Sequence, residues 1–111
     1  MNPPAYTRKL AAILSADVKD YSRLMGEDEA ATVATLTEYR QIMGRFIREY
    51  HGRVVDSPGD NLLAEFPSAV EAVYCAWRIQ QEIQQKNQAL SEGRRMTFRI
   101  GVKPRRHHRG K

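Results

Sequence analysis

Cysteine is nearly absent: Cys75 is the only one in 111 residues. One thiol excludes an internal disulfide framework and suits a reducing compartment. Within an apolar-periodic stretch it reads as a small buried hydrophobe rather than a reactive group. Long hydrophobic runs are missing too. No 18 consecutive residues are apolar, which excludes a transmembrane helix. The opening "MNPPAYTRK" lacks the apolar centre of a secretory signal. The expected setting is therefore cytoplasmic, with no membrane partner. Acidic residues are absent from the last nine positions, where Lys103, Arg105, Arg106, Arg109 and Lys111 fall. The net charge of +5 belongs to that end, since the remaining 13 basic residues balance 13 acidic ones. There is no internal repeat. The expected organisation is a leader over 1–8, one domain over 9–102 and a basic disordered tail over 103–111, in which His107 and His108 read as solvated.

The remaining sequence divides into short periodic segments. "KLAAILSADV" (9–18) is an apolar run ending in an acid, consistent with a buried strand. A brief helix is expected around Tyr21 to Met25. A longer one follows in "GEDEAATVATLTEYRQIMGRFIREYHG", with acids early and Gly52 as its stop. Val33, Leu36, Arg40, Met43, Phe46, Ile47 and Tyr50 form its stripe, with the Arg40 stem lying over apolar surface. "RVV" and "LLAEF" flank the turn-forming "DSPGDN" and predict a hairpin. Ser68 and Glu71 have capping-box spacing ahead of a helix running to about Asn87. Val70, Val73, Trp77 and Ile83 are expected on its inner face, and Met25, Met43 and Trp77 are expected as core filling. "MTFRIGV" (96–102) alternates Met96, Phe98, Ile100 and Val102 against Thr97, Arg99 and Gly101, as a half-buried strand does.

This order predicts an α+β, ferredoxin-like βαββαβ sandwich. RNA-recognition domains share the order but stack bases on strand aromatics. Here the first strand has none, and the last has only Phe98 on its inner side. No specific nucleic-acid partner is implied.

In such a sheet the end of the first strand and the hairpin tip can approach each other, bringing Asp17 and Asp60 together. Two carboxylates at a loop edge suit a hard divalent cation with substrate phosphates completing its shell. The following turn leads into a helix start, whose free amides over Lys19, Asp20, Tyr21 and Ser22 suit phosphate. Gly59 would let backbone approach a ligand closely. The same residues also fit a simpler reading, with Asp17 as a helix N-cap and "PGDN" as an ordinary turn.

"RKLAAILSADVKDYSRLMGEDE", "HGRVVDSPGDNLLAEFPSAVEAVYCAWRIQ" and "MTFRIGV" together resemble the N-terminal half of a class III adenylate/guanylate cyclase catalytic domain of the bacterial cytosolic type. The resemblance spans roughly residues 8–102. It implies a nucleotide cyclase-like, truncated fold and two-metal chemistry, in which the ribose 3′-hydroxyl of ATP or GTP attacks the α-phosphate and pyrophosphate leaves. It implies two Mg2+ or Mn2+ ions on Asp17, Asp60 and the Val18 carbonyl, phosphates on the amides of Lys19 to Ser22, and a homodimer or cyclase-like partner chain.

Three departures limit the implication. Asp56 stands where many relatives carry a purine-selecting lysine. Pro58 and Asn61 replace the usual Thr and Gly. The segment that carries a second purine contact and the transition-state Asn and Arg has no counterpart before "KPRRHHRGK". The expectation is a cyclase-type domain fragment in cyclic-nucleotide signalling, inactive alone. The alternative is a degenerate regulatory or dimerisation module without catalysis.

Overall fold

A computed structural model describes residues 10–106. Strand β1 (Leu10–Val18) leads into the short helix α1 (Tyr21–Glu27) and the long helix α2 (Glu29–Glu49). Strands β2 (Arg53–Asp56) and β3 (Leu62–Phe66) form the hairpin, followed by helix α3 (Ala69–Asn87). After a 3-10 turn at Glu92–Arg94 comes strand β4 (Phe98–Arg106). The sheet order is β2-β3-β1-β4 with every neighbouring pair antiparallel, as the expected βαββαβ fold requires.

Alternation along the strands makes the sheet two-faced. Ala12, Leu14, Ala16 and Val18 of β1, with Leu62, Ala64 and Phe66 of β3, are buried beneath the helices. Each large side chain removed from water this way contributes roughly 1.5–3 kcal/mol. On the opposite face Ser15, Leu63, Arg99 and Gly101 are exposed, so that face lies open.

The helix starts follow their local chemistry. The Asp28 carboxylate caps α2 by accepting from the Ala31 amide at 3.0 Å, and Ser68 Oγ caps α3 by accepting from Glu71 N at 3.2 Å. A buried polar knot closes the far end of the core. Tyr39 OH donates to Asn87 Oδ1 at 2.7 Å, the Met96 amide donates to the same oxygen at 3.1 Å, and Asn87 Nδ2 donates to the Met96 carbonyl at 2.9 Å. Burial, with the Glu38 charge adding, raises the Tyr39 pKa.

Several expectations are corrected. β4 continues through Lys103, Pro104, Arg105 and Arg106, paired with β1, so these four residues are strand rather than tail. The leader over 1–8 and the histidines at 107 and 108 lie outside the described residues. On α2, Val33 is exposed, while Thr32, Tyr39 and Ile42 join the buried face. The α3 inner face is nearly the reverse of the one expected. Ala72, Cys75, Ile79 and Ile83 face the sheet, whereas Val70, Val73 and Trp77 are 64%, 54% and 57% exposed. Small side chains let the helix backbone settle close to the strands; bulk at 70, 73 and 77 cannot. Trp77 is therefore not core filling.

The α2 stop also differs from expectation. The His51 amide bonds to Arg48 O and the Gly52 amide to Ile47 O, a Schellman ending with His51, at φ 69°, as its left-handed residue. Gly52 is needed for another reason: a Cβ there would lie 2.6 Å from the Phe66 ring. Gly59 has φ 57° with open space where a Cβ would lie, so the turn conformation itself favours glycine there.

Candidate functional site

The site grows from one hydrogen bond. The Val18 amide, at the end of β1, donates to Asp60 Oδ2 at 3.0 Å. Antiparallel pairing of β1 with β3, from Ala12↔Phe66 to Ala16↔Leu62, carries the hairpin tip to that end of the sheet. Asp60 thus bonds to a strand 42 positions away, not within its own turn. The turn closes separately, with Asn61 N donating to Pro58 O at 2.9 Å.

Arg40 holds the tip from outside. Its guanidinium donates to the carbonyls of Gly59 and Asn61, the residues on either side of Asp60. The break in the apolar stripe of α2 is therefore a clamp, beyond its stem's packing.

Asp17 lies opposite Arg99 in the β1–β4 register, and Arg99 Nε donates to Asp17 Oδ1 at 2.9 Å. This bond and the Asp17 charge raise the Arg99 pKa, with Asp20 and Asp60 adding smaller contributions. The three aspartates therefore act on one guanidinium. Asp17 is not a helix cap. The N-cap position of α1 belongs to Asp20, at φ 60° and without a side-chain capping bond.

Of the four amides expected to receive phosphate, that of Lys19 is already engaged. The Lys19 amide donates to Thr97 O at 2.9 Å and so is not free, and the Asp20 carbonyl accepts from Leu24 N. The side chains of Lys19, Asp20 and Ser22 are exposed, and Tyr21 packs partly on the core. Asp56 ends β2 beside an irregularity in the pairing, and its carboxylate accepts from the Ser57 amide at 2.9 Å.

An open cleft of about 530 Å³ lies on the uncovered sheet face, and neither Asp60 nor residues 19–22 are among its lining residues. Asp17, Asp56, Asn61, Arg99, Ser15 and Gly101 line it. Among the described residues no cluster of three or more His, Cys, Asp or Glu side chains is placed to hold a metal. The donor set is two carboxylates, each with one oxygen already engaged, by Arg99 and by Val18 N. That set fits a hard cation that keeps water or phosphate oxygens in the rest of its shell.

Sequence reasoning missed Arg99 and the clamping role of Arg40. The first had a signal, because it falls on the outward side of "MTFRIGV" in the strand that β1 must pair with. The second had only a charge interrupting an apolar stripe. Cys75 is buried as expected, and burial, with the Glu49 charge adding, pushes its thiol up to about 12.

No family model matches the chain. A protein of Rhizobium meliloti (strain 1021) named "Putative adenylate cyclase 3" is 43% identical over 96 residues, 86% of this chain and 16% of that protein. The solved structure of an adenylate/guanylate cyclase/hydrolase from Silicibacter pomeroyi superposes with a TM-score of 0.79 at 36% identity. It matches 89% of this chain, which spans 58% of that one. A bacterial light-regulated adenylyl cyclase shares the fold, with a TM-score of 0.79 at 21% identity over 96% of this chain and 34% of that one.

Proposed function

Because the chain belongs to the class III adenylate/guanylate cyclase domains, we propose that it binds a purine nucleoside triphosphate, ATP or GTP, with Mg2+ or Mn2+ at Asp17 and Asp60. The observation that carries this reading is the Val18–Asp60 bond, which brings the Asp60 carboxylate to the end of β1 that also bears Asp17. Bound divalent ions would neutralise the triphosphate and help activate the ribose hydroxyl. The Val18 carbonyl would be a further ligand, and the amides of Asp20, Tyr21 and Ser22 would receive phosphate oxygens.

Arg99 has two roles in this reading. In the unliganded chain it balances Asp17. Its side chain is 69% exposed and can turn to a phosphate oxygen once a cation takes over the carboxylate. Three aspartates (17, 20 and 60) act on this one guanidinium, so a polyanion gains little until metal binds. Metal and nucleotide should therefore bind together.

The domain works in the cytoplasm as one of a pair, with an identical or cyclase-like partner chain, and does not turn over unaided. Asp56 favours the runner-up reading, a degenerate regulatory module. Its carboxylate stands in the cleft where a base-reading lysine is expected, and so favours donors over a base acceptor.

Calorimetric titration with Mn2+ or Mg2+ and ATP or GTP, paired with a cyclic-nucleotide assay, tests the proposal. Metal-dependent nucleotide binding that Asp17→Ala abolishes, without product, is expected. Product from the unaided chain, lost in Asp17→Ala, would overturn the inactivity. Absence of both metal and nucleotide binding would leave the degenerate module standing.

A further inference from the structure

A cavity of about 410 Å³ lies between the C-terminal half of α3 and the approach to β4. It shares no lining residue with the cleft that holds Asp17 and Arg99. Gln80, Gln84 and Gln88 follow one another at four-residue intervals down one side of α3, with Ile83 among them. Arg95 and Thr97 close the cavity from the segment entering β4. Its volume is that of a small-molecule site, and several polar groups converge around one apolar residue, as such sites require.

Two side chains set its chemistry. Arg95 is the one charged residue in the lining. Its Nε donates to the carbonyls of Asn87 at 3.0 Å and Leu90 at 3.2 Å, which fixes the plane of the guanidinium. Both terminal nitrogens are left without a hydrogen bond among the described residues. Gln80 is fixed as well: its Nε2 donates to the Phe98 carbonyl at 3.0 Å, and its oxygen stays available as an acceptor. Gln84, Gln88 and Thr97 are exposed and add further donors and acceptors.

We propose that this cavity binds a small carboxylate that carries several hydroxyl groups, the chemistry of a sugar acid. A planar guanidinium with two free terminal nitrogens matches one carboxylate end-on. The amides and the Thr97 hydroxyl match neutral groups that both donate and accept. Charge disfavours the near alternatives. An ammonium group finds no carboxylate in the lining, and a phosphate monoester brings about 1.5–2 negative charges to a single cation. The Thr97 carbonyl also accepts from the Lys19 amide at 2.9 Å, so a ligand held on Thr97 braces the turn between β1 and α1. The site stands independently of the metal and nucleotide reading.

Titration of the full chain with gluconate in metal-free buffer, followed by NMR, tests the proposal. The side-chain amides of Gln80, Gln84 and Gln88 should shift together, with a Kd on the order of 1 mM for a ligand of this size in an open site. Hydrogen exchange at Lys19 should slow as gluconate saturates. Sorbitol, which keeps the hydroxyls and lacks the carboxylate, should bind about tenfold more weakly or worse. Arg95→Gln should keep the wild-type circular dichroism and weaken gluconate by a similar factor. Gln84→Ala should weaken it a few-fold, and Gln81→Ala, outside the lining, should not. If Arg95→Gln fails to fold, Gln84→Ala and the sorbitol comparison decide. Unmoved glutamine amides up to about 20 mM gluconate, well above that Kd, would overturn the proposal. So would sorbitol or inorganic phosphate binding as tightly as gluconate, or gluconate binding untouched in both folded variants.

Discussion

Val18 and Asp60 are joined by a backbone-to-carboxylate hydrogen bond of 3.0 Å that spans 42 positions of sequence. The bond makes a carboxylate at the hairpin tip part of the end of β1, and so sets it beside Asp17. Asp60→Asn preserves an acceptor for the Val18 amide while removing the charge. Its melting temperature should stay near that of the parent, while Mn2+ affinity measured by calorimetry falls about tenfold or more, since a ligand's charge matters more than a supporting contact. Asp60→Ala should also destabilise the fold by roughly 1–3 kcal/mol, because it strands the Val18 amide.

Arg40 governs the tip mechanically. Arg40→Met keeps much of the apolar stem and removes the donors to Gly59 and Asn61. Hydrogen exchange over residues 57–61 should accelerate, with a loss of about 1 kcal/mol in denaturant unfolding. Unchanged exchange at the tip would refute the clamp.

In the proposed site Arg99, bonded to Asp17, would compete with a cation for that carboxylate. Arg99→Gln should bind Mn2+ alone a few-fold more tightly, in keeping with the modest strength of an exposed ion pair. The same variant should bind the metal–triphosphate pair less tightly, because the guanidinium can no longer meet phosphate. Opposite signs for the two ligands separate this role from general damage to the site.

The environment of Cys75 makes stability depend on alkaline pH. Its folded pKa, about 12, lies above the ordinary 9.0, so between those values the folded chain holds a proton that the unfolded chain has released. The contribution is fully present below about pH 9 and is lost as pH rises towards 12. Urea midpoints should fall across that window in the parent and fall less in Cys75→Ala. Thiol reagents at neutral pH should label Cys75 only as fast as the protein unfolds.

Gly52 and Gly59 separate two uses of glycine. Gly52→Ala places a methyl 2.6 Å from the Phe66 ring and beside the Glu65 carbonyl, and should cost about 1–3 kcal/mol by overpacking. Gly59→Ala meets open space and pays only for its φ of 57°, about 1–2 kcal/mol. Thermal unfolding of the two variants measures both.

Local pattern carried much of the fold. The strand alternation of Phe98, Ile100 and Val102, the Ser68 cap and the turn residues between β2 and β3 all act over a few positions, although the strand starts at Phe98 rather than at Met96. Each is readable where it stands. The βαββαβ order follows from them. The two aspartates were legible as acids at a strand end and a hairpin tip, and their convergence followed from the fold's topology. Contacts between elements far apart in sequence decided the rest. Sheet register set Arg99 on Asp17 across 82 positions and turned the Lys19 amide to Thr97. The length of the Arg40 side chain, acting across the fold, made a break in a stripe into a clamp. Apolar residues occur on both sides of α3, so periodicity alone could not choose its inner face. The need for close helix-to-sheet approach chose Ala72 and Cys75, and left Val70, Val73 and Trp77 facing outward.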